Sequence, residues 1–507
     1  MSVCIVRPPL AVSKWNQVTV VNPPIGPAYV AGTLREGGHK VSLIDGIGLG
    51  LDERHPADGD ILIYGLALSD IVNRVPDDAK IIGVSCLFSV EWPMCNELIE
   101  LLRRRHPKAL LVGGGEHLTA LPEYSLKTSP LDVIVNGEGE ETMLAVADSY
   151  LGRAFDPATI SGISYKDNDG NIYTNKPRGR IRDLDTIPWP AWDLVPVDDY
   201  MDRNLSFGVN RGRSMPLLAS RGCPYQCTFC SNPAMWTTRW NVRSIDPLLE
   251  EISYYQKRYR ATNFDFYDLT AIVKKQWIVE FCRKLIDNKM DFTWQLPSGT
   301  RSEVIDEEVS KLLYEANCKN LSYAPESGAP RVLERIKKRI KPERMVESIR
   351  SSVRLGINVK TNMMIGFPGE TYSDIWSSFR FITKVALAGS HDLSYFAFAP
   401  YPGSALFTEL QKQGKITLNT DFFDALRSYS DPSKSVSYSE HISDRSLKYL
   451  RVLGLLLFYF VSWLRWPLRP FQTVIHLARG QHESRMEMML AGIIDRVFKH
   501  NRRPHAS

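Results

Sequence analysis

Cys223, Cys227 and Cys230 stand close together in the chain, in a C-x3-C-x2-C spacing. With eight cysteines in 507 residues, chance would give this spacing in about 0.2% of chains. Soft thiolates this close together suit an iron–sulfur cluster or zinc. A structural zinc site needs a fourth ligand, normally from a second Cys or His pair at knuckle spacing. Cys282 and Cys318 stand alone, and the nearest histidines are remote in sequence. Three thiolates on a four-iron cluster leave one iron open, which is what a catalytic cluster needs. The start of the chain, MSVCIVRPPL, lacks a charged segment followed by a long apolar stretch. A secreted disulfide framework is therefore not expected.

The elements around these thiols read as alternating strand and helix. From about residue 215 to 402 there are six strand-like runs: 217–220, 263–267, 292–296, 320–324, Asn358–Ile365 and 393–398. Six βα units predict a partial (β/α)6 barrel, with chemistry at the carboxyl ends of its strands. Cys223 follows the first of them. Upstream, strand-like runs at Ser2–Arg7, Lys40–Asp45, 80–88, 110–113 and 133–136 alternate with helical stretches at 28–36 and 93–105. The fold class is thus α/β, beginning with a doubly wound parallel sheet that binds ligands beyond its strand ends. Gly113-Gly114-Gly115 and Gly137-Glu138-Gly139 fall where strands should end, as ligand-approach loops or as tight turns. The expected units are 1–150, a linker with an Asp169-Gly170 hairpin over 151–210, the barrel over 211–405, and a helical region over 406–507.

Ser220-Arg221-Gly222-Cys223-Pro224-Tyr225-Gln226-Cys227-Thr228-Phe229-Cys230 resembles the signature of the radical S-adenosylmethionine (SAM) enzymes. Asp265-Phe266-Tyr267-Asp268, Pro325-Glu326-Ser327-Gly328 and Ile365-Gly366-Phe367-Pro368-Gly369-Glu370 resemble later strand-end motifs of that family. Pro23-Pro24-Ile25-Gly26-Pro27, Gly37-Gly38-His39, Gly113-Gly114-Gly115 and Gly137-Glu138-Gly139-Glu140 resemble the cobalamin-binding domain found upstream of the barrel in one subclass. That subclass contains methyltransferases and the anaerobic magnesium-protoporphyrin monomethyl ester cyclases.

The resemblance implies that Cys223, Cys227 and Cys230 bind a [4Fe–4S] cluster, with SAM on its open iron. Phe229 would pack on the adenine, or else serve the core. Asp268 would meet the SAM amine, although Asp-Leu-Thr stands here where many relatives have a second acid. Glu326 and Ser327 would contact the sugar or methionine part, unless Glu326 pairs with Arg301. Gly366 would allow close approach to the adenine, or only form a turn. For cobalamin, the implied contacts are Ser85, Gly114, Gly115, Gly137 and Glu138. The Asp-x-His-x-x-Gly stretch that carries a cobalt-ligating His is absent. The loop 85–89 would then face the corrin's lower side, with Cys86 either a ligand or a small buried thiol.

Past residue 402 the pattern changes. The run 452–464 (VLGLLLFYFVSWL) is apolar and bracketed by Arg451 and Arg465. It is too short to span a bilayer by itself. With Trp463, Trp466 and Arg469 nearby it suits an interfacial segment, or else a buried cap helix. Basic and acidic residues number 62 and 57, so the net charge is 62 − 57 = +5. That offers little attraction to RNA and disfavours a nucleic-acid partner. The expected function is methylation of an unactivated carbon in an apolar, lipid-like or tetrapyrrole substrate, driven by a 5′-deoxyadenosyl radical. Oxidative ring formation is the alternative, and a non-catalytic cobalamin or Fe–S sensor is the alternative of another class. The expected partners are a small-molecule substrate and a flavodoxin- or ferredoxin-like one-electron reductant. The expected location is cytoplasmic, with contact at the inner face of a membrane. No catalytic residue beyond the cofactor contacts is assigned.

Overall fold

The computed structural model describes residues 2–13, 21–57, 59–152, 155–301, 303–431, 434–480 and 482–500. The first unit is a parallel sheet of β1 (Ser2–Arg7), β2 (Lys40–Asp45), β3 (Ala79–Ser85), β4 (Leu110–Gly114) and β5 (Val133–Val135), in the order β2-β1-β3-β4-β5. Alternate residues of β1 enter two separate cores. Val3 and Ile5 pack with Ala28, Leu34, Val146 and Ala147 of helices α1 (Ile25–Glu36) and α3 (Glu140–Leu151). Cys4 and Val6 pack with Leu98, Ile99 and Leu102 of α2 (Trp92–Arg105). A strand period of two between two helical layers buries both faces, which is why these strands read as unbroken apolar runs. The strand order reverses between β1 and β3, opening a crevice at their carboxyl ends.

Strands β6 (Ile163–Lys166) and β7 (Ile172–Thr174) form the hairpin around Asp169-Gly170 and extend the same sheet antiparallel to β5. The linker hairpin is therefore joined to the first sheet. A small antiparallel sheet of Leu10–Ser13, Ile61–Tyr64 and Arg54–Pro56, not foreseen from sequence, lies beside it. The connector over 175–213 carries a Pro-rich stretch at 187–196 (IPWPAWDLVP) that docks on α1. Ala191 donates its N–H to the Ala28 carbonyl at 2.9 Å, and a Cβ on Gly32 would meet the Trp189 carbonyl oxygen at 2.5 Å.

The second unit is an open parallel sheet of β8 (Ser214–Leu217), β9 (Asn263–Phe266), β10 (Thr293–Thr300), β11 (Cys318–Glu326), β12 (Asn358–Ile365) and β13 (Asp392–Ala397), paired in chain order. Five of the six expected strands stand near their expected bounds, while the first, expected over 217–220, runs over Ser214–Leu217 and shares only Leu217 with it. The first ends at Leu217, earlier than its apolar run suggests, because the Ala219 N–H is taken by the Asp268 carboxylate at 3.1 Å. Ser220–Arg221 then pairs antiparallel with Asn241–Val242.

Helix α4 (Tyr372–Ala388) covers the last strands, and α5 (Asp444–Arg465) packs against it and β13. Leu447, Arg451, Gly454, Phe458 and Ser462 form the buried stripe of α5 at helical spacing. Arg451 is stabilised there by carbonyls, donating to Tyr395 at 2.7 Å and to Ser428 at 3.0 Å. The apolar run 452–464 is thus part of a 22-residue helix, long and apolar enough by composition to cross a membrane, yet seated along one face on the barrel. Its other face is exposed, Leu456 and Phe460 at 62% each. Helices α6 (Arg469–Ala478) and α7 (Arg485–His500) follow.

Candidate active site

The cysteine loop begins at a constrained glycine. Gly222 has φ +87°, and a Cβ there would meet the Arg239 carbonyl oxygen at 2.2 Å. The loop is held at Thr228, whose N–H donates to the Ile336 carbonyl at 3.0 Å and whose carbonyl accepts from the Leu406 N–H at 2.9 Å. Cys223, Cys227 and Cys230 are all free and half-buried. Burial pushes Cys230 up to about 12 and raises Cys223 and Cys227; Lys338 and Arg301 pull those two back. A metal binding here must displace their protons. Among the described residues no three Cys, His, Asp or Glu side chains converge as they would around a single ion. A zinc ion with about 2.3 Å bonds needs its sulfurs within about 4 Å of one another. A four-iron cluster takes each thiolate on a different iron, so three thiols spread along one loop fit it better.

The residues expected around SAM stand in the cysteine loop or at the carboxyl ends of β9, β11 and β12. The Phe229 ring lies 5.9 Å from that of Phe367, the residue after Gly366. Gly366 has φ +91°, and a Cβ there would meet the Leu447 side chain of α5 at 2.9 Å. Its N–H donates to Glu370 Oε2, as does that of Phe367 at 3.2 Å. Asp268 is buried and accepts from the Ala219 N–H and the Ser220 hydroxyl; burial pushes its carboxyl up to about 6. Glu326 ends β11 with φ +66° and pairs with Lys338, Nζ to Oε1 at 2.8 Å. Arg301, the partner weighed from sequence, pairs instead with Glu303 at 3.3 Å and stacks 3.6 Å over the Tyr225 ring in the cysteine loop. Ser327 is fully buried, its hydroxyl 3.1 Å from that of Ser378 and accepting from the Ala329 N–H at 3.1 Å. Lys338 escaped the sequence analysis because nothing in its neighbourhood marks it; only the fold brings it to Glu326.

The carboxyl edge of the first sheet meets the cysteine loop. Ser85 ends β3 in register with Gly114. A Cβ on Gly114 would meet nothing within 4 Å, so open space lies beside it. Gly115, φ +113°, would strike the Cys86 carbonyl oxygen at 2.4 Å if it carried a side chain. Leu87 and Phe88 project from the same edge about half exposed, 49% and 48%. Glycines, open space and apolar tips at a topological switch point fit a large flat macrocycle. Cys86 itself is buried beside Cys95, and burial raises its thiol. Gly137 has φ +77° and donates its N–H to the Thr119 hydroxyl at 3.0 Å. Both Glu138 oxygens are engaged: Oε2 accepts from Arg180 Nε at 2.6 Å and the Ile181 N–H at 3.0 Å, and Oε1 lies 3.3 Å from Arg221. Ser231, beside Cys230, donates to Glu116, beside Gly115.

Residues 217–382 match the radical SAM superfamily, and residues 16–147 match the B12 binding domain. An uncharacterized methyltransferase of Pyrococcus horikoshii is 30% identical over 410 residues, covering 80% of this chain and 82% of its own length. The anaerobic magnesium-protoporphyrin IX monomethyl ester cyclase of Rubrivivax gelatinosus is 26% identical, covering 76% of this chain and 66% of its own. The cobalamin-dependent SAM radical enzyme OxsB, solved with aqua-cobalamin and SAM, shares the fold with a TM-score of 0.69 at 15% identity, over 98% of this chain and 75% of that one. The protein is accordingly an enzyme whose cofactors are a [4Fe–4S] cluster, SAM and cobalamin, acting on a small molecule with an external reductant. The chain belongs to the cobalamin-dependent branch of the radical SAM superfamily.

Proposed function

We propose that the enzyme methylates an unactivated carbon. The observation that carries this reading is that the cysteine loop and the glycine-rich sheet edge are held against each other, joined through Ser231–Glu116 and Arg221–Glu138. A methyl carrier and a radical source must both reach one substrate carbon, and joined edges permit it; a sensor would not require it. When bound, SAM supplies a methyl group for cobalamin and, on reductive cleavage, a 5′-deoxyadenosyl radical that removes a substrate hydrogen. The chain's task is to hold these groups and keep water out.

In this reading Cys223, Cys227 and Cys230 hold the cluster. Phe229 and Gly366 border the adenine, Glu326 and Ser327 the sugar and methionine part, and Asp268 the amine. Ser85, Gly114, Gly115 and Gly137 border the corrin, while Glu138, with both oxygens engaged, shapes that border. The likeness to the Rubrivivax cyclase keeps oxidative ring formation as the second reading. We further propose an apolar substrate met at a membrane surface. Its support is the exposed face of α5 and α6, where Leu464, Leu468 and Phe471 are 69%, 69% and 68% exposed, with Arg465 and Arg469 against the Trp466 ring. Aromatic and basic residues flanking an apolar stripe suit the headgroup region.

The test is to reduce the reconstituted protein with SAM and cobalamin present. Formation of 5′-deoxyadenosine and of methylated corrinoid supports the reading, and absence of both returns the chain to the sensor class.

A further inference from the structure

The two carboxylates of the Gly137-Glu138-Gly139-Glu140 loop reach out of the first unit. Arg221, two residues before Cys223, lies 3.3 Å from Glu138 Oε1 and donates to Glu140 Oε1 at 2.6 Å. All three side chains are buried, at 6–7% exposure. The guanidinium lies 4.9 Å over the Tyr29 ring of α1 and 5.9 Å from the Trp236 ring that follows the cysteine loop. Arg180, from the connector, takes the other Glu138 oxygen and also donates to the Trp236 carbonyl. Two cations and two anions thus form a balanced network, with Arg180 and Arg221 each meeting groups of both units.

A buried charge network is an expensive way to gain stability, since apolar residues of similar volume often do as well or better. What it does supply is a fixed geometry, because a planar guanidinium holds two carboxylates at set angles in a rigid fork, whereas an ammonium on a flexible stem can bridge two carboxylates without fixing the angle between them. The flanking backbone is constrained on each side of the joint, with Gly222 at φ +87° and Gly137 at φ +77°. On the strand side the joint is two residues from a thiol, and on the sheet side it is one residue from the glycine at the corrin edge.

We infer that Arg221, Glu138 and Glu140 are positioning residues that set the separation between the corrin edge and the cysteine loop. The inference rests on the cofactor sites proposed above. Removing the joint should leave each cofactor bound and unfix the distance between them.

The test uses the full chain with cluster and cobalamin loaded, comparing wild type with Arg221→Gln, Arg221→Lys and Glu140→Gln. Pulsed electron paramagnetic resonance reads the dipolar distance between Co(II) and the reduced cluster. The expected result is a single narrow distance in wild type and its loss in Arg221→Gln, at wild-type iron and corrinoid content. Arg221→Lys should be intermediate, keeping the charge without the fork. Hydrogen exchange of residues 137–141 should quicken in the same order. If Arg221→Gln fails to fold or to load, Glu140→Gln carries the test, because Arg221 there keeps Glu138, and it too should broaden the distance. An unchanged narrow distance in the loaded variants overturns the inference alone. A wild-type chain that holds neither cluster nor corrinoid overturns the cofactor sites, and the inference with them.

Discussion

Lys338 Nζ lies 2.8 Å from Glu326 Oε1, both side chains about 10% exposed, where β11 ends against the cysteine loop. Burial pushes Glu326 up despite its partner; for Lys338 burial is the largest single influence and acts against the charge, but Glu326 and Cys227 together outweigh it and the ammonium is raised. Removing one member of such a pair leaves an uncompensated buried charge. Lys338→Met should therefore lower the unfolding free energy by about 3–5 kcal/mol, and Glu326→Gln added to it should restore part of the loss. Denaturant unfolding of the four proteins closes the cycle. Additive losses would mean that the two groups do not act as a pair.

The Asp268 carboxyl makes a pH-dependent prediction. Burial raises it from 3.8 to about 6, so the folded chain holds this proton more tightly than the unfolded one. The stability it contributes is complete below about pH 4 and lost as pH rises to about 6, a fall of roughly 3 kcal/mol. Asp268→Asn stays neutral and should show no such fall. Stability measured on the apo chain from pH 4 to 7 should move in favour of the variant as pH rises. Parallel curves would refute the assignment.

Cobalt should carry no protein histidine. His117 is the histidine nearest the glycine-rich edge in sequence, and it is buried with Nδ1 2.9 Å from the Ser89 hydroxyl and Nε2 3.5 Å from that of Ser125. Burial lowers it to about 3, so it stays neutral and engaged. The Co(II) resonance of the loaded enzyme should lack nitrogen splitting from imidazole, and His117→Ala should leave that spectrum unchanged. Splitting that disappears in the variant would place His117 on cobalt.

The exposed face of α5 separates anchor from core. Leu456 and Phe460 are each 62% exposed, so changing both to Asp should leave thermal unfolding within about 1 kcal/mol of wild type, as surface changes do. The same change should abolish sedimentation with anionic liposomes. Salt should weaken wild-type binding only in part, because apolar insertion supplies the remainder. A wild-type protein that stays in the supernatant at low salt would remove the membrane surface.

The first five strands were legible because helices cover both faces of their sheet, and the barrel strands because β-branched, aromatic and alternating buried residues stand between turn signals. Asn358–Ile365 (NVKTNMMI) shows the alternating form, burying Val359, Thr361 and Met363 before its apolar end at Met364 and Ile365. The cysteine loop was legible because its chemistry is local in sequence. What escaped was set by tertiary contact. The choice of Lys338 over Arg301 for Glu326 depends on a loop that folds back over the cysteines. Arg221 and Glu140 looked like parts of two separate motifs, and only the packing of one unit on the other joins them. The apolar run in α5 gave no sign of which face it would bury, since its helical stripe runs through Arg451, a residue that reads as exposed until its carbonyl partners are known.

The most direct test is the Cys227→Ala variant, reconstituted with iron and sulfide beside wild type. Wild type should hold about four irons with broad absorbance near 400 nm and release 5′-deoxyadenosine from SAM on reduction. The variant should hold no stable cluster and release none, while still binding cobalamin at the wild-type level. Wild-type iron content and SAM cleavage in Cys227→Ala would contradict the account.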